Sequence, residues 1–459
     1  MERHDVIVIG AGPAGIFAAL ELLEAGLRVV LVEKGRPIHK RRCPSGQRNC
    51  KGCKRCDIMS GWGGAGAFSD GKLTLTGEVG GWLGQYVPPG QLDALLHDAD
   101  RLWLRFGADT ATHGPDAATA ERLIAESRRA GMRLVPMTIR HLGTDRSPEI
   151  LGAMYEYLVK AGAGMLLDTE VTAIISEEGT VKGVELADGT LLSADFVIAA
   201  PGREGAEWLT DQAARLGLVL SNNQVDIGVR VECPAAIMEP LTRTLYEAKL
   251  LYDSPTFNDK VRTFCMNPYG EVTIESYGDV VTVNGHSYSQ ARTPYTNFAV
   301  LVSQHFTEPF HEPITYGRSI ARLANLLGEG ILVQRLADLR AGRRSTPQRI
   351  AESGIQPTLT GATPGDLASV LPYRTLTDIV EFLDAMNVLV PGIADGTTLL
   401  YGVEVKFYSS CVRVDGDLET PIRGLYAIGD GAGITRGLLQ SSASGMVAAR
   451  AITRKAAAL

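Results

Sequence analysis

"DVIVIGAGPAGIFAALELLEAGLRVVLVEKG", residues 5–35, decides the fold. Residues 5–9 are mostly valine and isoleucine, the pattern of a buried strand. Gly10, Gly12 and Gly15 then fit G-x-G-x-x-G. The first glycine permits a tight turn, the second lets backbone approach a pyrophosphate, and the third lets a helix pack on the strand. Residues 16–23 have helical apolar spacing, and Gly26 is a natural stop. Residues 28–32 read as a second strand ending at Glu33. About 20 residues past the glycines, a carboxylate is placed to meet ribose hydroxyls. A glycine-rich turn in an unrelated α/β protein has no reason to be followed by this helix, strand and acid in order. The acid, with no arginine beside it to take a 2′-phosphate, argues against NADP. It leaves NAD and FAD open.

The other end of the chain favours FAD. In "TPIRGLYAIGDGAGITRGLLQSSASGMVAARAI", residues 420–452, a strand at 425–428 ends in Gly429-Asp430 and a helix follows at 438–452. This order resembles the FAD domain of glutathione-reductase-like flavoproteins. The resemblance implies that Asp430 binds the ribityl and phosphate region, with residues 433–438, Gly437 and Leu438 among them, along the flavin. The helix N-terminus would favour an anionic reduced ring. Between the two ends, residues 171–204 read as a small antiparallel meander with turns at Glu178-Gly179 and Asp188-Gly189. It leads through Phe196 to Ala200-Pro201-Gly202, where the superfamily usually has Ala-Thr-Gly. No second G-x-G-x-x-G follows a strand, because "AGAGM" at Ala161 precedes one. A dedicated NAD(P)H domain is therefore not expected. That favours the branch shared with p-hydroxybenzoate hydroxylase.

The bulk composition excludes little but points one way. The chain has 459 residues, is 45% hydrophobic and carries a formal net charge of −7. Acidic and basic residues are mixed, which gives no footprint for nucleic acid or an anionic membrane. The longest apolar run, 6–20, is shorter than the roughly 20 residues that span a bilayer. No charged leader with a cleavage site precedes it, so the expected location is cytoplasmic.

"CPSGQRNCKGCKRCDIMSGWGGAGAFSDGK", residues 43–72, joins a thiol cluster to a flexible, glycine-rich loop. With "VDIGVRVE", "VRTFCMNPYGEV", "VNGHS" and "YAIGDGAGITRGL", the segment "GGAGAFSDGKL" resembles a family of largely uncharacterised bacterial and archaeal FAD-dependent dehydrogenases, over nearly the whole chain. Related flavoproteins pass this loop over the flavin ring. The resemblance thereby implies contacts from Gly63, Gly64, Ala65, Gly66, Ser69 and Asp70. The full expected cofactor set adds Gly10, Gly12, Pro13, Ala14, Gly15, Glu33, Lys34, Val171, Ala200, Gly202, Gly429, Asp430, Gly437 and Leu438. Cys43, Cys50, Cys53 and Cys56 have the spacing C-x6-C-x2-C-x2-C. Three thiols at x2 spacing and an outlying cysteine next to proline fit a [4Fe–4S] cluster. Zinc, usually held by two separated knuckles, and no metal at all remain open.

Three residues are candidate catalytic groups, each with a plainer alternative. His286 and His141 are candidate proton donors or structural histidines, and Arg262 is a carboxylate ligand or a partner of a neighbouring strand. Glu404 and Lys406 are an ion pair or substrate contacts. The expected architecture is α/β: a discontinuous Rossmann-like FAD-binding domain with an inserted, strand-rich α+β substrate domain. Its parts are FAD-binding at 1–88, a helical insertion at 89–137, FAD-binding at 138–217, the substrate domain at 218–389 and FAD-binding at 390–459. The expected function is hydride transfer between flavin and a small organic substrate. Ferredoxin, relayed through the cysteine cluster, or NAD(P)H is the electron donor. The alternatives are a flavoprotein that modifies RNA and a flavin-binding redox sensor with structural zinc.

Overall fold

The valine- and isoleucine-rich opening forms the strand Arg3–Ile9, and Val6, Ile7 and Val8 have no exposed surface. Burial on both faces is what a central parallel strand requires. The computed structural model describes residues 3–44, 53, 55–69, 71–143, 146–221, 224–245, 247–277, 279–287, 292–304, 306, 312–407 and 410–458. The chain divides into unit 1, Met1–Thr112, Thr138–Asn223 and Ser409–Leu459, and unit 2, His113–Met137 and Gln224–Tyr408.

In unit 1, parallel strands run in the order Gly164–Leu167, Val29–Glu33, Arg3–Ile9 and Leu191–Ala199. Leu191–Ala199 does two jobs. Its first residues close the antiparallel meander with Val171–Glu177 and Thr180–Leu186, and its last residues pair in parallel with Leu425–Ala427. The helix Pro13–Glu24 begins with proline, whose missing N–H costs nothing at a helix start. It packs against the C-terminal helix Leu438–Ala456 so closely that a Cβ on Gly445 would stand 2.1 Å from the Ala14 carbonyl oxygen.

Unit 2 is built on an eight-stranded sheet. Its order is Thr363–Pro364, Leu332–Arg335, Leu399–Lys406, Val225–Pro234, Tyr295–Gln304, Lys260–Asn267, Lys249–Asp253 and Met132–Val135. All neighbours are antiparallel except the first pair. Val225, Ile227, Val229, Val231, Val300 and Val302 join a core with Ile379, Phe382, Leu383 and Met386 of the helix Tyr373–Leu389. A separate hairpin, Glu271–Tyr277 and Val280–His286, completes the unit.

Two boundaries differ from those read in the sequence. Residues 390–408 lie in unit 2, not in the last FAD-binding segment, because Leu399–Lys406 pairs with Val225–Pro234. The stretch 89–137 is divided. The helix Gln91–Arg105 belongs to unit 1, while the helix Ala117–Arg129 and the strand Met132–Val135 belong to unit 2. Among the described residues no helix is long and apolar enough to cross a membrane.

Candidate functional site

The three glycines of the first turn have three different surroundings. Gly10 has φ +97°, and a Cβ there would lie 2.2 Å from the Ala200 carbonyl oxygen. A Cβ on Gly15 would lie 2.0 Å from the Gly10 oxygen, so this position sets how closely helix and strand approach. Gly12 faces open space: its Cβ would meet nothing nearer than the Gly64 Cα at 4.0 Å. Its φ of −80° and ψ of −179° suit any residue. Fold alone therefore does not demand glycine at 12. A ligand lying against the backbone at the start of Pro13–Glu24 would.

Glu33 ends its strand buried. One carboxylate oxygen accepts the Ala11 N–H at 2.9 Å. The other accepts the N–H groups of Gly35 at 2.8 Å and Gly61 at 2.9 Å. The sequence expectation gave this acid a ribose to bind. The structure also shows it bracing the fold, tying the first turn to the segment around Gly61. Lys34, expected beside the cofactor, is ion-paired with Glu204.

The loop read as flexible is pinned. Arg41 is buried, and its guanidinium donates to three carbonyls, Asp57 at 2.8 Å, Ile58 at 2.9 Å and Trp62 at 2.6 Å. Burial pushes its pKa down to about 10, with the carboxylates of Glu33 and Asp57 opposing, so it stays a cation at neutral pH. Trp62, fully buried, donates its indole N–H to the Leu151 carbonyl at 2.7 Å. Held this way, Gly63 donates to the Ala11 carbonyl at 2.7 Å, and a Cβ on Gly64 would stand 3.1 Å from the Gly12 Cα. A Cβ on Gly66 would meet the Leu438 side chain at 2.4 Å. Ala65 sits between them in the short 3-10 turn Gly64–Phe68, and Ser69 closes it by donating to the Gly66 carbonyl at 2.8 Å. Asp70 lies outside the described residues.

The C-terminal segment reaches the same neighbourhood. Gly431 and Gly202 touch, since a Cβ on Gly431 would lie 2.4 Å from the Gly202 oxygen. Gly429, at φ +76°, turns the chain into Asp430. Thr435 donates to the Asp430 carboxylate at 2.8 Å, and the Arg203 guanidinium stands 3.7 Å away. Burial raises this carboxyl above the usual range, with Arg203 and Thr435 opposing. Gly437 caps the C-terminal helix without a side-chain acceptor, and the first intrahelical bond runs from Ser441 to Gly437. The N–H groups of Leu438, Leu439 and Gln440 therefore precede the helical ladder and are available to an anion. Beside them, the buried side-chain oxygen of Gln440 has no hydrogen-bond partner among the described residues.

A further segment, 77–82, was not singled out in the sequence. Gly80 accepts from Arg436 at 2.7 Å, Trp82 donates to the Ile434 carbonyl at 2.8 Å, and the Arg436 cation lies 4.3 Å from the Trp82 ring centre. Its signal was the Gly80-Gly81 pair, both at positive φ. Val171, by contrast, is a buried residue at the start of a meander strand.

The three candidate catalytic residues are not on one element. His141 pairs with Lys72 in a short ladder of unit 1. His286 is exposed at the end of the hairpin in unit 2. Arg262, in unit 2, is ion-paired with the buried carboxylate of Asp226. Among the cysteines, Cys43 and Cys56 are partly buried and Cys53 is exposed, while Cys50 lies outside the described residues. Among the described residues no group of three or more His, Cys, Asp or Glu side chains is gathered to hold a metal.

Comparison with known proteins agrees with this layout. Residues 5–41 match the family model described as FAD binding domain, and residues 224–407 match that described as FAD-dependent protein, C-terminal domain-like. The chain is similar to an uncharacterized protein of Clostridium beijerinckii, 25% identical over 98% of this chain and 80% of that protein. It is also similar to Protein FixC of Escherichia coli, 26% identical over 51% of this chain and 45% of that protein. Among solved structures, it is similar to the 3-ketosteroid-delta4-(5alpha)-dehydrogenase of Rhodococcus jostii, with 14% identity, 98% and 97% of the two chains covered and a TM-score of 0.46. The nucleotide-binding turn of unit 1 thus lies in a segment that matches an FAD binding domain, within a mixed α/β fold of parallel and antiparallel sheets.

Proposed function

We propose that this chain moves a hydride between FAD and a small organic substrate, as a dehydrogenase or reductase. The observation that carries the reading is the open space over Gly12, at the start of a helix and beside the pinned Gly61–Ser69 segment, in a turn that is otherwise closely packed. FAD, when bound, supplies a ring that takes up or gives a hydride. The residues present fit that group. The first N–H groups of Pro13–Glu24 would hold the pyrophosphate. The Glu33 oxygen that, among the described residues, accepts the Ala11 N–H alone keeps capacity for a ribose hydroxyl. Asp430 would meet the ribityl region. The N–H groups of residues 438–440 would stabilise negative charge at the end of the ring. Gly64 and Gly66 let backbone approach without side chains in the way.

The signature "GGAGAFSDGKL" supports placing the chain among the FAD-dependent dehydrogenases that carry it, with a cytoplasmic address. The support for a four-cysteine metal centre, iron–sulfur or zinc, is the spacing of Cys43, Cys50, Cys53 and Cys56. Iron and zinc analysis of anaerobically purified protein, with serine at each cysteine in turn, decides whether it exists.

The oxidoreductase reading is tested by anaerobic stopped-flow. Oxidised holoprotein is mixed with NADH, NADPH or reduced ferredoxin, and flavin absorbance is followed. Bleaching by one donor, with reoxidation by an organic acceptor, is the expected result. Flavin that remains oxidised with every one of these donors, and with a panel of organic hydride donors, would overturn the reading.

A further inference from the structure

One stretch of unit 1 carries a single sign of charge. Residues 34–44 hold Lys34, Arg36, Lys40, Arg41 and Arg42 and no acid. The sequence adds Arg48, Lys51, Lys54 and Arg55 before the next carboxylate, Asp57. No residue between 34 and 56 therefore neutralises a neighbour. The whole chain has a formal net charge of −7, so this block runs against the rest.

The described cations of the block are of three kinds. Arg41 belongs to the fold. It is buried, its guanidinium holds the carbonyls of Asp57, Ile58 and Trp62, and it lies 4.8 Å from the Phe68 ring centre. Lys34, Arg36 and Arg55 are paired. Lys34 meets Glu204, Arg36 meets Asp57 at 3.2 Å, and Arg55 meets Asp168 at 2.8 Å and Asp57 at 4.0 Å. Lys40 and Arg42 are the third kind. Both are exposed, and among the described residues neither side chain meets a carboxylate. His39, also exposed, precedes them on the 3-10 turn Ile38–Lys40.

Scattered exposed cations cost little in water and need no partner. These differ in their mounting. Arg41 lies between the two and points inward, so its three hydrogen bonds hold the backbone on either side. The Arg41 N–H donates to the Ile38 carbonyl at 3.3 Å, and the Arg42 N–H to Asp57 at 3.5 Å. At the other end of the block, Glu33 ties Gly35 and Gly61 to the first turn. The basic face is thus fixed to the nucleotide-binding turn. A fixed patch needs little ordering when a partner arrives, and its field draws in negative partners. A long nucleic acid would also meet the acidic remainder of the chain, whereas a small acidic protein meets the patch alone. The proposed reaction needs an electron donor, and no second G-x-G-x-x-G follows a strand to hold NAD(P)H.

We propose that the face formed by Arg36, His39, Lys40, Arg42 and Arg55 docks a small acidic protein that carries one electron at a time. This rests on the flavin oxidoreductase reading above and names the class of its donor. Two carriers, each oxidised by one electron, and one proton from water reduce FAD by the equivalent of one hydride.

The test uses the FAD-loaded full chain, with a plant-type [2Fe–2S] ferredoxin, an acidic protein, as the probe. Docking is measured by calorimetric titration with the oxidised probe, so no electron moves. Ferredoxin is expected to bind in about 20 mM salt and to weaken at least about tenfold by about 200 mM. Lys40→Glu with Arg42→Glu should weaken docking at least about tenfold, with FAD content and Tm unchanged. Flavin reduction by reduced ferredoxin should slow in the same proportion. Reduction by the methyl viologen radical, a cation, should not slow. No docking, docking indifferent to salt, or docking unmoved by the double variant would overturn the inference. So would transfer RNA bound more tightly than ferredoxin at equal salt. Absent docking with flavin still reduced by viologen sinks the inference alone, and flavin that no donor reduces sinks the reading beneath it.

Discussion

Replacing Gly12 separates folding from cofactor binding. At φ −80° and ψ −179° an alanine or valine is unstrained, and its Cβ has 4.0 Å of clearance. Removing a glycine from such a position restricts the unfolded chain and stabilises the fold by about 0.4–1 kcal/mol. Deflavinated Gly12→Ala protein should therefore be as stable as the parent or slightly more so. The ligand meets the opposite effect. A side chain in that space holds a pyrophosphate away from the helix start, and hydrogen bonds to a charged group contribute about 1.5–3 kcal/mol each. Losing one or two weakens FAD by roughly ten- to ten-thousandfold, with Gly12→Val worse than Gly12→Ala. Gly15→Ala is the contrast: its Cβ falls 2.0 Å from the Gly10 oxygen. Overpacking of that kind costs about 3 kcal/mol or more, so fold and cofactor should fail together. The assays are urea denaturation of the apoprotein and titration of FAD by fluorescence quenching. If Gly12→Ala loses more than about 2 kcal/mol of apoprotein stability while the folded fraction binds FAD as before, the reasoning fails, because glycine is then kept for the fold and not for a ligand.

Glu33→Gln places an amide against the three backbone N–H groups that the carboxylate now accepts, and apoprotein denaturation should show a loss of about 1–3 kcal/mol. Burial pushes the Asp378 carboxyl up to about 6, with Asp259 adding to the shift and Arg374 opposing it. The folded chain keeps that proton at pH values where the unfolded chain has lost it, so stability falls as pH rises from about 4 to about 6. Asp378→Asn should flatten that window and raise stability at neutral pH by on the order of 1–3 kcal/mol, measured by denaturation across pH. Arg230→Met takes the two-bond partner from the buried Glu404, which keeps Lys406 at 3.2 Å, and should cost about 3–5 kcal/mol, and adding Glu404→Leu should recover part of it in a double-mutant cycle.

What the sequence made legible was local. Gly10, Gly12, Gly15 and Glu33 lie within one strand–helix–strand unit, where spacing alone fixes which residues meet. The strand Leu425–Ala427 and its Gly429-Asp430 ending were readable for the same reason. Long-range pairing was not. The residues of Leu399–Lys406 look like a strand, but nothing in their periodicity says that they join Val225–Pro234 and not the nucleotide-binding sheet. The four residues of Met132–Val135 are too few to stand out beside a helix. Arg41 lies in a run of basic residues beside the first cysteine, where a solvated side chain is the plain expectation, yet it reaches inward to carbonyls 16–21 positions away. Arg262 was read as a candidate ligand without its partner, because Asp226 lies 36 residues before it.

The most direct test of the account is the identity of the nucleotide this chain holds. Protein purified under native conditions is denatured, and the released cofactor is identified by chromatography and mass and counted per chain. The expected product is FAD, one per chain, recoverable by reconstitution of the apoprotein and lost in Gly12→Val. Release of FMN, or an apoprotein that folds yet does not take up FAD, would contradict it.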